Sequence, residues 1–265
     1  MTIRVDIAGK EYAVESESGR SIAIPLLFNG AQPNSYDVPK ATAQAYEADG
    51  FVGDTRRGSG CNFETYSLTP HCNGTHTECV GHITLDRIAV SQILNNILMP
   101  ATLITVAPQP PDGQESYSPE LGENDRVITR KKLEAEISNE KGFLEALIIR
   151  TLPNDPSKVS RRYMQEMPPF FTNEAMRYLV SLGIRHLLVD LPSLDRTFDE
   201  GKLSNHHIFF ELPGKTAGKQ VSPKTVTEMI YVPEEVSDGS YLLNLQIPAF
   251  ISDAAPSRPI IFPVL

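Results

Sequence analysis

The chain is poor in cysteine, carries no long apolar run and is short of positive charge. Three cysteines in 265 residues are too few and too unevenly placed for a disulfide framework. Two of them, Cys72 and Cys79, fall in a short run of histidines and a carboxylate, which points to reduced thiols and a cytoplasmic setting. No segment approaches the ~18 consecutive apolar residues of a membrane helix. The opening Met1-Thr2-Ile3-Arg4-Val5-Asp6 has no apolar centre of the kind a secretory signal needs. Neither a membrane nor a secretory route is therefore expected. Lys and Arg number 24 against 33 Asp and Glu, for a net charge of -9 and a pI near 5.2. That balance argues against nucleic acid as the main partner, because phosphate binding needs a basic footprint. The longest basic run, Arg130-Lys131-Lys132, is followed by Glu134 and Glu136 and reads as a solvated helix face. Internal repeats and low-complexity linkers are also missing, so one domain over residues 1–265 is expected.

What is present supports a substantial core: hydrophobic residues make up 40% and charged residues 22% of the chain. The 21 prolines are scattered, as suits many strand ends and loops. Tyr12–Val14, Ile22–Leu27 and Cys61–Leu68 read as extended segments, and Ala101–Val106 as a β-branched strand. Further on, helix and strand alternate. Leu133–Ile137 lies in an amphipathic helix, and Ala146–Thr151 is a buried strand. A helix capped by Thr172 or Asn173 runs to a stop at Gly183. Ile184–Asp190 is a second buried strand, and Tyr241–Ile247 is extended again. The reading is a mixed α/β fold with a large β component.

Five of the six histidines fall into two clusters, and the first lies in one polar run, His71-Cys72-Asn73-Gly74-Thr75-His76-Thr77-Glu78-Cys79-Val80-Gly81-His82. Nitrogen, sulfur and carboxylate donors at this density are what a bound Zn²⁺ or Mn²⁺ requires. If the run is extended, alternation puts Cys72, Gly74, His76 and Glu78 on one face. Cys72, His76 and Glu78 then converge, Gly74 leaves space for an ion, and His71 faces away. Thr75 is placed to hold a neighbouring turn, and His82, beyond a short loop, can serve as ligand or proton carrier. The second cluster, His206-His207, can close the same site from another part of the fold.

The segment Gly74-Thr75-His76-x-Glu78-x-x-x-His82 resembles the H-x-G-T-H-x-D-x-P-x-H motif of the cyclase family of metal-dependent hydrolases, the group containing kynurenine formamidase and isatin hydrolase. Downstream, Asp190-Leu191-Pro192-Ser193-Leu194-Asp195 is similar to that family's D-x-x-S-x-D segment. His206-His207-Ile208-Phe209-Phe210 is similar to its H-x-x-L-L, and Glu228-Met229-Ile230 to its E-N-L. The likeness runs from about Thr65 to Phe250. It implies a single domain with a β-barrel-like core and flanking helices. It also implies Cys72, His76, Glu78, His206 and Glu228 as metal ligands and His82 as the acid/base group. His206 is preferred to His207 because Phe209 and Phe210 then fall at the family's spacing, His207 being an outward neighbour on the same strand. Asp190 and Asp195 are expected to cap turns or support ligands. The chain departs from the pattern at Cys72 for the first His, Glu78 for Asp and Val80 for Pro; alternatively, His71 replaces the missing His through a local bulge.

The resemblance implies hydrolysis of a small amide, formamide or lactam with one or two ions, zinc or alternatively manganese, in a homo-oligomer. A thiolate from Cys72 would favour zinc. Phe51, Phe63 and Tyr66 are candidates for the pocket wall. Two other readings compete: a metal-binding relative that has lost catalysis and serves as a small-molecule binding or regulatory protein, and a hydrolase using Cys72 or Ser193 as nucleophile.

Overall fold

The computed structural model describes residues 1–137, 142–212 and 221–265. Its centre is a curled nine-stranded sheet, and the fold is mixed α/β. In chain order the strands of this sheet are β1 (Arg20–Ser21), β2 (His76–Cys79), β3 (Leu98–Val106), β4 (Ala146–Thr151), β5 (His186–Val189), β6 (Thr225–Glu228), β7 (Gly239–Asn244), β8 (Ala254–Pro256) and β9 (Ile260–Pro263). Across the sheet they run β8-β2-β6-β5-β4-β3-β7-β9-β1. The middle four, β3 to β6, are parallel, and the strands on either wing are antiparallel.

A parallel strand covered on both faces reads as a continuous apolar run, and β4 and β5 show why. Leu147 and Ile149 of β4, with Leu187 and Val189 of β5, point into one core. Ala146, Ile148 and Leu188 point into the other. The first core is closed by helices α3 (Arg130–Glu136), α4 (Asn173–Ser181) and α5 (Ser204–Phe209) through Leu133, Met176, Leu179 and Phe209. The second is closed by β1, β7 and β9 and the chain around them, through Ile22, Leu243 and Ile261. Two shorter helices, α1 (Pro70–Asn73) and α2 (Val90–Ile93), flank β2. Among the described residues no helix is long and apolar enough to cross a membrane.

The expected cap of α4 is present: Thr172 Oγ1 accepts from the Ala175 amide at 3.1 Å, and Gly183 follows with φ +78°. Ile22–Leu27 is largely not a strand, holding only an isolated bridge from Ala23 to Ile230. Two corrections matter for the site. Residues 71–78 are not one extended run, because Pro70 opens the helical turn α1 and only His76–Cys79 is strand. His206 and His207 sit on α5, not on a strand; the Asp195 carboxylate accepts from the amides of Asn205 (2.8 Å) and His206 (3.1 Å) and so holds the helix's first turn.

Candidate metal centre

The site forms where β2 enters the sheet beside β6. These strands are antiparallel with His76 opposite Glu228 and Glu78 opposite Val226. Both strands are wholly buried. Because side chains alternate, His76 and Glu78 share one face, while Thr77 turns away to bond Thr227 (2.8 Å) and Cys79 packs with Val90 and Ala255. His76 Nε2 lies 3.4 Å from Glu228 Oε2. His206, from α5, brings Nε2 to 3.0 Å from Glu78 Oε1 and 3.7 Å from Glu228 Oε1. His71, the second residue of the α1 turn, brings Nδ1 to 3.0 Å from Glu78 Oε2. His82 Nε2 stands 3.9 Å from the same oxygen.

The strand register is pinned from behind. Thr75 Oγ1 accepts from the Ile24 amide (2.8 Å) and donates to the Met229 carbonyl (2.5 Å), so the residues before His76 and after Glu228 are tied together. Met229 itself has φ +52°, a left-handed conformation rare for a side chain of its size, and its amide N–H donates to the Leu191 carbonyl (2.9 Å). Gly74 is extended, and a Cβ there would meet only Leu26 at 3.8 Å. It is therefore not needed to leave space for an ion, contrary to the expectation from the sequence.

Each of three histidines spends one ring nitrogen on an acceptor outside the centre. His76 Nδ1 faces the Gly74 carbonyl at 2.9 Å, His206 Nδ1 the Asp195 carboxylate at 2.6 Å, and His71 Nε2 the Asp253 carboxylate at 2.9 Å. A ring N–H given to those acceptors leaves the opposite nitrogen as a lone pair turned inward. Five buried atoms at the centre then have no hydrogen-bond partner: His76 Nε2, both Glu78 oxygens, His206 Nε2 and Glu228 Oε1. Acceptors aimed at one another at such spacing need a cation among them, and desolvated groups left without one are costly. The sets His71–His76–Glu78 and Glu78–His82–His206 each bring their donor atoms within 4.8 Å of one another. Imidazole and carboxylate donors at these separations fit a divalent ion.

Without an ion the charges compensate each other. Burial works against charge on Glu78, but His82, His206 and His71 outweigh it and hold the carboxyl well below its usual range. Burial likewise opposes protonation of His206, yet Asp195 and Glu78 raise its pKa well above the ordinary imidazole value. His71 behaves the same way: burial is outweighed by Asp253 and Glu78, and its pKa rises to about 10.

Of the residues singled out in the sequence, the structure brings together His76, Glu78, His206, Glu228 and His82. Cys72 belongs to none of the donor sets among the described residues. It is buried in α1 with its thiol pushed up to about 11 by desolvation and by Glu228, which also makes it a poor nucleophile. Ser193 accepts from the Asp195 amide (3.1 Å). Asp195 supports His206, as expected, while Asp190 accepts from Thr151 and from the buried Lys158 ammonium (2.7 Å). Phe63 packs against Tyr46 and Phe51, and Tyr66 packs on Phe28; Phe51 and Tyr66 lie in strand pairs outside the main sheet, Phe63 just before one of them, and each of the three is about half exposed.

One participant escaped the sequence reading, and another stood in it only as the alternative to Cys72. Alternation turns His71 away and leaves it to a bulge to bring it back, but it reaches Glu78 from a helical turn that Thr69-Pro70 signals. Asp253 carries no motif; it arrives because Ala254 pairs with Glu78 across β8 and β2.

The family model Cyclase, described as "Putative cyclase", matches residues 21–196. No match was found among curated protein sequences. Among solved structures, a "predicted metal-dependent hydrolase from Bacillus stearothermophilus" superposes with a TM-score of 0.60 at 16% identity, covering 92% of this chain and 97% of that one. An isatin hydrolase bound to the product analogue thioisatinate gives 0.56 at 14% identity, covering 94% of each chain. Isatin hydrolase A from Ralstonia solanacearum gives 0.58 at 13% identity, covering 93% of this chain and 92% of that one.

Proposed function

The chain belongs to the Cyclase family, and from that premise we propose that it is a metal-dependent hydrolase that cleaves the C–N bond of a small amide, formamide or lactam. The observation that carries this reading is the set of five unpartnered buried donor atoms on His76, Glu78, His206 and Glu228. His71, His76 and Glu78 would hold one ion; Glu78, His206 and Glu228 offer donors for a second, with Glu78 shared. With His71 rather than Cys72 facing the centre, the donors are nitrogen and oxygen, and this set suits zinc and manganese alike.

A divalent ion in such a site supplies Lewis acidity, polarising a carbonyl and making water a competent nucleophile near neutral pH. The chain's own residues supply the rest. His82 is the proton carrier: its side chain is 29% exposed, so Nε2 sits at the border between Glu78 and solvent, where a substrate can reach it. His76 and His206, almost fully buried, hold fixed positions through Gly74 and Asp195. Burial of Glu78 and Glu228 keeps water from competing for their oxygens.

Metal analysis of the purified protein, joined to assays on a panel of N-formyl aromatic amines, simple amides and cyclic imides or lactams, tests the proposal. Bound zinc or manganese is expected, with turnover of at least one class that a chelator abolishes and the metal restores. His76→Ala should lose both metal and turnover. The altered positions Cys72 and Glu78 motivate a second reading, a metal-binding protein without catalysis. Metal without turnover on any of these classes would favour it, and chelator-resistant hydrolysis would refute both.

A further inference from the structure

We propose that Asp253 is a positioning residue of this centre: one of its carboxylate oxygens fixes the ring orientation and tautomer of His71, so that Nδ1 faces Glu78, and aligns His82 beside it. The inference rests on the proposed metal centre and assigns a role to a residue outside the family's motif segments named above.

The geometry starts from the backbone. The Asp253 carbonyl accepts from the Cys79 amide at 3.0 Å, and the neighbouring Ser252 carbonyl accepts from the Val90 amide at 2.8 Å. Ala254, next in the chain, pairs with Glu78. The carboxylate is thus built onto the strand that carries Glu78 and shares its register. Its Oδ2 lies 2.9 Å from His71 Nε2 and 3.5 Å from His82 Nδ1. The two imidazoles are stacked, centroids 4.3 Å apart and planes 29° from parallel, so both present an edge to the same oxygen. The side chain of Asp253 is 38% exposed, yet among the described residues its ion pairs are with these two histidines and with no Lys or Arg.

Comparison with the other two histidines sharpens the assignment. His76 and His206 are backed at Nδ1, and each turns Nε2 inward. His71 is backed at Nε2 and turns Nδ1 inward. It approaches from a helical turn rather than from the strand, and the reversed ring is what lets it reach Glu78 from there. A reversed ring needs its own acceptor at Nε2, and Asp253 is that acceptor. The same oxygen leaves His82 with Nε2 towards Glu78.

Zinc affinity, measured by competition with a chromophoric chelator, and ¹⁵N–¹H spectra of the imidazole nitrogens of the zinc-loaded protein test this. Wild type should show one histidine protonated at Nε2 and coordinated through Nδ1, its signal assigned by loss in His71→Gln. Asp253→Asn should weaken zinc binding about 10- to 100-fold, as loss of an outer-sphere partner does elsewhere, and should broaden or shift that one signal. Asp253→Glu should recover part of the affinity. Thermal melting of the metal-free variants, expected to match wild type, separates positioning from folding; should Asp253→Asn melt early, Asp253→Glu alone decides by whether its His71 signal keeps the wild-type tautomer. Wild-type affinity and an unchanged His71 signal in Asp253→Asn overturn this inference alone. A wild type that takes up neither zinc nor manganese overturns the metal centre, and this inference with it.

Discussion

At the residue scale, the centre depends on which edge each side chain offers. His71 and Cys72 are neighbours, and a sequence pattern that assumes a strand selects the wrong one for proximity to Glu78. The reason is one proline: Pro70 starts a turn of helix in which Cys72 is buried while His71 swings to the carboxylates. His76 and Glu78, by contrast, were legible because they lie in a true strand and are two residues apart. The difference makes a direct prediction. His71→Ala should lower zinc affinity 10-fold or more, whereas Cys72→Ala should keep the metal and cost only the packing of a small buried thiol, about 1 kcal/mol or less. Metal titration of the two variants side by side checks it; loss of metal in Cys72→Ala with retention in His71→Ala would reverse the assignment.

Elements decide how distant residues meet. The apolar runs of β4 and β5 announced themselves, since strands buried on both faces leave no alternative reading. The joining of β2 to β6 did not, because nothing local in Thr225–Glu228 says that Glu228 will stand opposite His76. The helix carrying His206 was also hidden: its first turn is held by Asp195, a partner ten residues before Asn205, and short segments with a distant cap look equally like strand. Between Glu78 and His82 the chain turns through a 3-10 segment, Val80–His82. There a Cβ on Gly81 would lie 2.1 Å from the Ile88 carbonyl oxygen, a backbone atom that must move. Gly81→Ala is therefore expected to displace His82. Turnover should fall at least 10-fold while metal content stays near that of wild type, and stability should drop by about 1–3 kcal/mol. Assay and denaturant titration on the same preparation measure both.

On the scale of the whole molecule, stability should respond to acid through a histidine outside the metal-donor sets. His186 is buried in β5 beside Thr225, and desolvation, helped by the charge of Arg185, lowers its pKa to about 4 from 6.5. The sign follows from which state takes the proton first. Above 6.5 neither state carries it and the folded protein loses nothing; as pH falls from 6.5 towards 4 the unfolded chain is protonated while the folded one resists. Stability is lost across that window, by up to about 3 kcal/mol. Urea titrations of the metal-free protein at pH 7 and 4.5 should show a smaller decline in His186→Gln than in wild type; equal declines would rule out this source. The lopsided burial of the centre has a kinetic consequence of its own. His76, Glu78, His206 and Glu228 are sealed inside the sheet, whereas His71, His82 and Asp253 stand partly in solvent on one side. An ion held there would enter and leave past the partly exposed His71, His82 and Asp253. Under the proposed function, the side on which His82 meets a substrate would then be the side through which metal exchanges with solvent, so metal uptake and turnover would share a route.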